Sequence, residues 1–307
     1  MIDVVIVNWN AGFQLKTCVD SLVRYSCDLV NKIIVVDNGS TDDSVDMLSP
    51  VKHLIVERLG QNQGFASGCN AGAKLATAQY VLFLNPDAAV YEHTLRQVYE
   101  FMEREENQKF GICGVRLLDE HGEVARCCSR FPATPRIVAQ SLGLDKFIAG
   151  IGSPMSEWHH LDSRQVDQVI GAFFFVRRDL FIQLDGFDER FFVYYEEVDF
   201  AYRANRAGFS SFYLSDASAF HLGGGVSNQV KARRLFYTLR SRLIYARKNF
   251  GLFGFVCTSG VTLFVEPITR LLLGTVRRSG SAIKETLLGY SMLYRWLPDW
   301  TFRGKTR

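Results

Sequence analysis

Lys32-Ile33-Ile34-Val35-Val36-Asp37-Asn38-Gly39-Ser40 decides the fold. An unbroken β-branched run, without the polar alternation of a half-exposed strand, predicts a strand covered on both faces, and Asp-Asn-Gly-Ser stops it in a turn. Upstream, Asp3-Val4-Val5-Ile6-Val7 gives a first such strand, Asn8-Trp9-Asn10-Ala11-Gly12 a loop, and Leu15, Cys18, Val19 and Leu22 recur at helical spacing. Downstream, Ser44 to Leu48 reads as a short helix, Val51 to Glu57 as a third strand and residues 65–78 as a helix. Tyr80-Val81-Leu82-Phe83-Leu84 is a fourth strand, stopped by Asn85-Pro86-Asp87, and a helix over 92–105 follows. Strand and helix alternate through the first hundred residues. That predicts an α/β fold with a Rossmann-like, mostly parallel central sheet flanked by helices, its ligand at the carboxyl ends of the strands.

Further on the pattern loosens. Residues 119–165 collect Gly, Pro, Ser and Arg and read as an irregular insertion over one edge of the site. Val169 to Val176 is another strand, and a helix from about Glu197 to Ala207 is closed by Gly208. The insertion contains adjacent His159 and His160, but with no spaced Cys or His partner nearby in sequence no zinc site is expected.

The 307 residues are 48% apolar and 22% charged, an ordinary globular composition that excludes collagen-like, coiled-coil and wholly disordered chains. Seven cysteines form no CxxC pair, and no basic segment leads into an apolar run at the N-terminus, so a reduced, cytosolic protein is expected. Charge is distributed unevenly. Residues 1–230 hold 20 Lys/Arg against 29 Asp/Glu, while residues 231–307 hold 15 against 3, which predicts a body over 1–230 and a basic helical extension over 231–307.

Several residues are suited to chemistry. Asp37, directly after a buried strand, can accept hydrogen bonds from a nucleobase or ribose, or cap an Asx turn. Gln61 to Gly72 places glycines four apart, leaving a bare helix face for a ligand or for close packing on a sheet. No P-loop and no GxGxxG follows the first strand, which argues against a nicotinamide dehydrogenase. Asp87 stands where a hard divalent cation bridging two phosphates could be held. Tyr194-Tyr195-Glu196-Glu197-Val198-Asp199 puts three carboxylates in four residues, either at the positive end of a helix or as a general base toward an alcohol. His221, ahead of Gly223-Gly224-Gly225, suits metal or phosphate binding.

Taken in order, Val36-Asp37-Asn38-Gly39-Ser40, Asn62-Gln63-Gly64-Phe65-Ala66-Ser67-Gly68-Cys69-Asn70, Leu84-Asn85-Pro86-Asp87, Gly186-Phe187-Asp188-Glu189-Arg190 leading into Glu196-Glu197-Val198-Asp199 and Arg203, and then His221 closely resemble the family 2 glycosyltransferases of GT-A fold. Within that family the chain is similar to bacterial rhamnosyltransferases of cell-surface polysaccharide (O-antigen or cell-wall) synthesis. The resemblance covers roughly residues 2–250. It implies a GT-A catalytic domain that transfers a sugar, with inversion, from a nucleotide donor to an acceptor hydroxyl. It further implies donor-nucleotide contacts from Val7, Asn8, Asn10, Asp37, Asn62, Gly64, Asn85 and Pro86, and Mg²⁺ or Mn²⁺ held by Asp87 and His221. Glu197 would be the base, with Glu196, Asp199 and Arg203 as catalytic support. Two positions depart from the family: Asn85 takes the first place of an Asp-x-Asp pattern, and Glu197 stands where Asp is common.

The favoured donor is dTDP-L-rhamnose and the favoured acceptor a lipid-linked saccharide. A UDP-dependent hexosyl- or galactofuranosyltransferase is the alternative enzyme, and a non-catalytic nucleotide-sugar-binding subunit or a membrane scaffold the alternative classes. Arginines flank an uncharged stretch from Gly251 to Val265, which suits peripheral contact with an anionic membrane on its cytoplasmic face; the competing reading is a buried helix with a solvated basic face. That stretch ends at Glu266-Pro267, short of the roughly 20 residues needed to cross a bilayer. No nucleic-acid module is recognisable, so no nucleic-acid partner is expected.

Overall fold

β1 (Ile2–Asn8) and β2 (Val30–Asp37) lie parallel, with Asn8 opposite Asp37 at their carboxyl ends. α1 (Phe13–Tyr25) joins them and buries Leu15, Cys18, Val19 and Leu22, the positions its periodicity marked. β3 (Leu54–Arg58) adds to β2, and α2 (Phe65–Leu75) leads to β4 (Tyr80–Leu84), which pairs in parallel with the other side of β1. The computed structural model describes residues 1–26, 28–155, 157–223 and 231–306. The chain divides into two compact units: Met1–Ser129 with Trp158–Glu189 and Glu196–Val226, and Arg130–Glu157 with Arg190–Tyr195 and Ser227–Arg307. The second unit therefore takes in part of the presumed insertion besides the basic tail.

The first unit continues through β5 (Ala88–Val90), α3 (Thr94–Glu103) and β6 (Phe110–Leu118), then β7 (Cys128–Ser129). After β8 (Arg164–Val166), β9 (Gln168–Val169) and β10 (Phe173–Arg177), α5 (Arg178–Gln183) and α6 (Glu196–Arg206) precede β11 (Ser210–His221). The main sheet runs β3-β2-β1-β4-β10-β6-β11-β5, with β8 on β11. Its β3-β2-β1-β4 half is parallel, and β10 enters antiparallel between β4 and β6.

Two local expectations change, and a third choice is decided. Ser44 to Leu48 is a turn, not a helix. The strand expected over 169–176 breaks, because β9 pairs with β7 in a separate ribbon while the Ala172 carbonyl accepts from the Asn85 N–H (3.0 Å). The bare face of α2 is taken by packing: a Cβ on Gly68 would lie 2.7 Å from Val7 Cγ1, and one on Gly72 2.4 Å from Val5 Cγ1. Those glycines let the helix sit against β1, so they are not a ligand-facing surface.

In the second unit four tail helices, α7 (Lys231–Asn249), α8 (Gly251–Gly260), α9 (Glu266–Val276) and α10 (Gly280–Arg303), pack with α7 on α8 and α10 on α7 and α9, and α4 (Thr134–Ser141) packs on α8. A π turn at Val261–Val265 fuses α8 to α9, giving one helix of 26 residues from Gly251 to Val276. The helix does not stop at Glu266-Pro267, because Pro267 sits in the first turn of α9 and Glu266 is neutralised by Arg242 and Arg270. By length and composition alone this helix is long and apolar enough to cross a bilayer.

Its polarity is inverted. Gly254, Thr258, Thr262, Glu266 and Gly274 are buried, whereas Leu252 (80% exposed), Val256, Phe264, Ile268, Leu272 and Val276 (80%) face outward. Residues four apart drift by about 40° per step on an α-helix, and the wider π turn offsets that drift, so both stripes stay aligned. α4 meets the polar stripe: Ser141 Oγ donates to Glu266 Oε2 (3.2 Å), and Thr269 Oγ1 to the Ser141 carbonyl (2.8 Å). The buried-helix reading fails for the apolar residues, which face outward, while its solvated basic face holds for Arg233, Arg234, Arg247, Arg277 and Arg278 and fails for two arginines that turn inward. Arg240 lies over the rings of Phe192, Phe236 and Tyr237, and Arg242 pairs with Glu266.

Candidate functional site

The carboxyl ends of β1 and β2 carry a polar hub. Asn8 is fully buried, and its Nδ2 donates to Ser44 Oγ (2.8 Å), Ser40 Oγ (3.0 Å) and Asp37 Oδ1 (3.3 Å). Asp37 Oδ1 also accepts from the Ser40 N–H (3.3 Å), forming the Asx-type turn, while Oδ2 faces Arg58 at 3.6 Å. Asn10, at φ +53°, accepts on Oδ1 from the Thr41 N–H (2.7 Å) and so locks the two loops together. Asn38 binds the glycine-rich segment: its Nδ2 donates to Asn62 Oδ1 (3.2 Å) and the Gly64 carbonyl (3.1 Å), and Asn62 Oδ1 accepts from the Gly64 N–H (2.9 Å). Gly39 is obligatory here, since its φ is +75° and a Cβ would strike the Gln61 backbone at 2.7 Å. Val7 is buried beneath α2, leaving its main chain alone to meet any ligand.

Asn85 and Pro86 form the turn after β4, with the Ala88 N–H donating to the Asn85 carbonyl (3.0 Å). Antiparallel pairing of β5 with β11 sets His221 opposite Ala88 and brings His221 Nε2 to 3.4 Å from Asp87 Oδ1. The two side chains are about one-tenth exposed (12% and 11%). A carboxylate oxygen and an imidazole nitrogen this close are a donor set that a divalent cation, Mn²⁺ especially, accepts. Gly224 and Gly225 lie outside the described residues.

The three acids of α6 sort by environment. Asp199 is fully buried; Arg203 Nε donates to its Oδ2 (2.8 Å), while the Arg203 Nη atoms donate to the Leu184 (2.5 Å) and Gly186 (2.7 Å) carbonyls. Glu196 is buried, and burial first, then the neighbouring Glu197 carboxylate, hold its pKa well above the ordinary carboxyl range. Glu197 is half-buried. Just ahead of them Tyr194 and Tyr195 both adopt left-handed backbone (φ +67° and +75°), a strain that non-glycine residues bear mostly at functional sites.

Glu196 has a pH consequence. It keeps a proton in the folded chain that the unfolded chain releases near pH 4.5, so folded stability falls as pH rises from there through the raised value. Urea midpoints measured between pH 4.5 and 8 show this slope, and Glu196→Gln flattens it.

Links that the sequence did not disclose hold the motifs together. Ser67 Oγ donates to Glu189 Oε2 (2.8 Å), and Asn70 Nδ2 to the Phe187 carbonyl (2.8 Å) and Glu189 Oε1 (3.1 Å). Phe187 itself enters an aromatic cluster, its ring 5.0 Å from Phe83 and 5.4 Å from Phe200. The i, i+3 spacing of Ser67 and Asn70 on one helix face was the available signal. Arg58 was likewise missed. The expectation that His160 has no cysteine nearby is overturned: Cys127, Cys128 and His160 place their ligand atoms within 4.8 Å of one another. The partners arrive from 32 residues upstream through tertiary folding. His160 is engaged at both ring nitrogens, Nδ1 with the Trp158 carbonyl (3.0 Å) and Nε2 with the Cys128 N–H (3.3 Å), and the Cys128 thiol pKa is raised by its bond to Cys127 and by burial. The trio packs as core.

Residues 3–123 match the family described as Glycosyl transferase family 2. A low-salt glycan biosynthesis hexosyltransferase of Haloferax volcanii is 25% identical over 224 residues, covering 72% of this chain and 66% of that protein. A PGL/p-HBAD biosynthesis glycosyltransferase of Mycobacterium bovis is 34% identical over 107 residues, 33% of this chain and 41% of that one. An N-acetylglucosaminyl-diphospho-decaprenol L-rhamnosyltransferase of Mycobacterium tuberculosis is 26% identical over 243 residues, covering 72% and 76%. The chain thus spans about two thirds or less of the length of the first two. Among solved structures, a mannosyltransferase from Pyrobaculum calidifontis, in complex with GDP-Man and Mn²⁺, superposes with a TM-score of 0.54 at 15% identity over 99% of this chain and 83% of that one, a likeness of fold. With its sheet, its strand-end polar hub and these relatives together, the chain carries a glycosyltransferase family 2 domain over residues 3–123 and has a GT-A fold.

Proposed function

We propose that this protein is an inverting, metal-assisted glycosyltransferase that moves L-rhamnose from dTDP-L-rhamnose to a hydroxyl of a lipid-linked saccharide in cell-surface polysaccharide synthesis. The observation that carries this reading is the Asp87–His221 pair in the sheet whose β1 and β2 ends carry the Asn8–Asp37 hub. The hub, with Asn10 and the loop of Asn62 and Gly64, receives the donor nucleoside, and Asn85 and Pro86 shape the turn beside the diphosphate. Asp87 and His221 hold Mg²⁺ or Mn²⁺, which when bound supplies positive charge against the diphosphate.

Glu197 takes the proton from the acceptor hydroxyl as its oxygen bonds to the anomeric carbon. The bond from that carbon to the donor diphosphate oxygen breaks, and the electron pair leaves with the nucleoside diphosphate. The sorting of the acids supports this assignment, since Asp199 is ion-paired and burial raises the Glu196 pKa well above the ordinary carboxyl range, leaving Glu197 as the half-buried acid of the three. The rhamnose and lipid-diphosphate assignments rest on the name of the mycobacterial relative. The outward apolar stripe of α8–α9 and the excess of basic residues around it support peripheral seating on the cytoplasmic face of an anionic membrane.

Calorimetry with dTDP and UDP, with and without Mn²⁺, tests the donor site. Metal-dependent dTDP binding that weakens at least tenfold in Asp87→Ala is expected. Binding of neither nucleotide removes the enzyme reading, and binding of UDP alone moves the donor to a UDP-sugar.

A further inference from the structure

α9 and α10 enclose a surface groove of about 560 Å³, inside the roughly 300–1,000 Å³ range of small-molecule sites. Pro267 and Leu271 form one wall; Leu287, Tyr290 and Tyr294 form the other, and Arg295 belongs to the same lining. The π turn fixes the tyrosines: Tyr290 Oη donates to the Thr262 carbonyl (3.1 Å) and Tyr294 Oη to the Leu263 carbonyl (2.5 Å). Their hydroxyls are thereby committed to the protein while their rings line the trough. Leu287 is 55% exposed, and Ile268 and Leu272, neighbours in sequence of two wall residues, belong to the outward stripe, so the groove is continuous with an unburied apolar surface. Arg295 is exposed and makes no ion pair among the described residues.

We propose that this groove binds the isoprenoid chain of a lipid phosphate or diphosphate, with Arg295 meeting the first phosphate. The inference rests on the lipid-linked acceptor of the proposed function and gives that acceptor a place outside the family 2 domain. Charge selects the occupant. A tail with 15 basic against 3 acidic residues repels a second copy of itself, and a trough of apolar walls with one unpaired cation matches a molecule that is hydrocarbon for its length and anionic at one end. The inverted polarity of α8–α9 sets the adjoining stripe toward hydrocarbon, the medium from which such a chain would enter.

The test uses the full chain in mild detergent with polyprenyl phosphate as the probe, read by fluorescence of the groove-side tyrosines and by competition. Leu287→Glu and Arg295→Glu are expected to weaken polyprenyl phosphate binding at least tenfold. Ser291→Trp, which fills the trough without adding charge, is expected to do the same, and thermal midpoints separate these losses from unfolding. Leu252→Glu, on the stripe and outside the groove lining, is expected to reduce sedimentation with phosphatidylglycerol vesicles and to leave polyprenyl phosphate binding unchanged. Wild-type affinity in the folded groove variants overturns the proposal, as does equal competition by phosphatidic acid, which shares the phosphate but not the branched chain. Nucleotide binding is measured alongside, so a chain that binds polyprenyl phosphate but no nucleotide would sink the enzyme reading and leave the groove standing.

Discussion

Glu197→Gln is expected to lower kcat by about 10²–10⁴-fold while leaving dTDP binding within a factor of about three, because the amide keeps the shape of the side chain and cannot take the acceptor proton. The control is its neighbour. Glu196 is buried, and burial with the neighbouring Glu197 carboxylate favours its protonated form, so Glu196→Gln is expected to change kcat less than tenfold. Steady-state transfer assays on both variants, with nucleotide binding measured in parallel, check the contrast. Equal losses in the two variants would take the base role away from Glu197 and assign it to the pair.

The largest stability effect is expected at Arg203. Asp199 is fully buried on α6, and the Arg203 guanidinium binds it while capping the carbonyls of Leu184 and Gly186 in the turn before Phe187. Arg203→Ala deprives a buried carboxylate of its cation and leaves two carbonyls without a donor. Removing one partner of a buried pair costs about 3–5 kcal/mol, and the low end applies because the Arg203 side chain is 22% exposed. Arg203→Lys restores the charge but not the three-way fork and is expected to recover about half. Urea unfolding midpoints check both; a midpoint unchanged in Arg203→Ala would mean that the turn holds without it.

Local pattern made β1, β2, β4, α1 and α6 legible, because each is a short element whose apolar period is complete within its own residues. β6 and β11 were not. In β11 the register shifts between Leu214 and Ser218, and the serines and Asp216 around that irregularity erase the two-residue alternation that would have marked a strand. The site residues on strand ends were readable as motifs, whereas the bonds that aim them were not: Ser67 reaches Glu189 across 122 residues, and His221 meets Asp87 only through the pairing of β5 with β11. The tail was legible in part: the uncharged stretch was read as suited to a membrane surface, but an apolar run does not show that the helix continues past Glu266-Pro267 or that it turns its threonines and Glu266 inward.

The second unit is assembled from pieces of chain made at different moments. Ser141 waits for Glu266, which follows it by 125 residues. At the roughly 5–20 residues per second of protein synthesis, that interval is about 6–25 s. During it α4 has no partner stripe, while most of the family 2 domain has already left the ribosome. The order of synthesis therefore makes the helical unit form after the family 2 domain, and the outward apolar surface of α8–α9 is completed only once that domain is already available to fold.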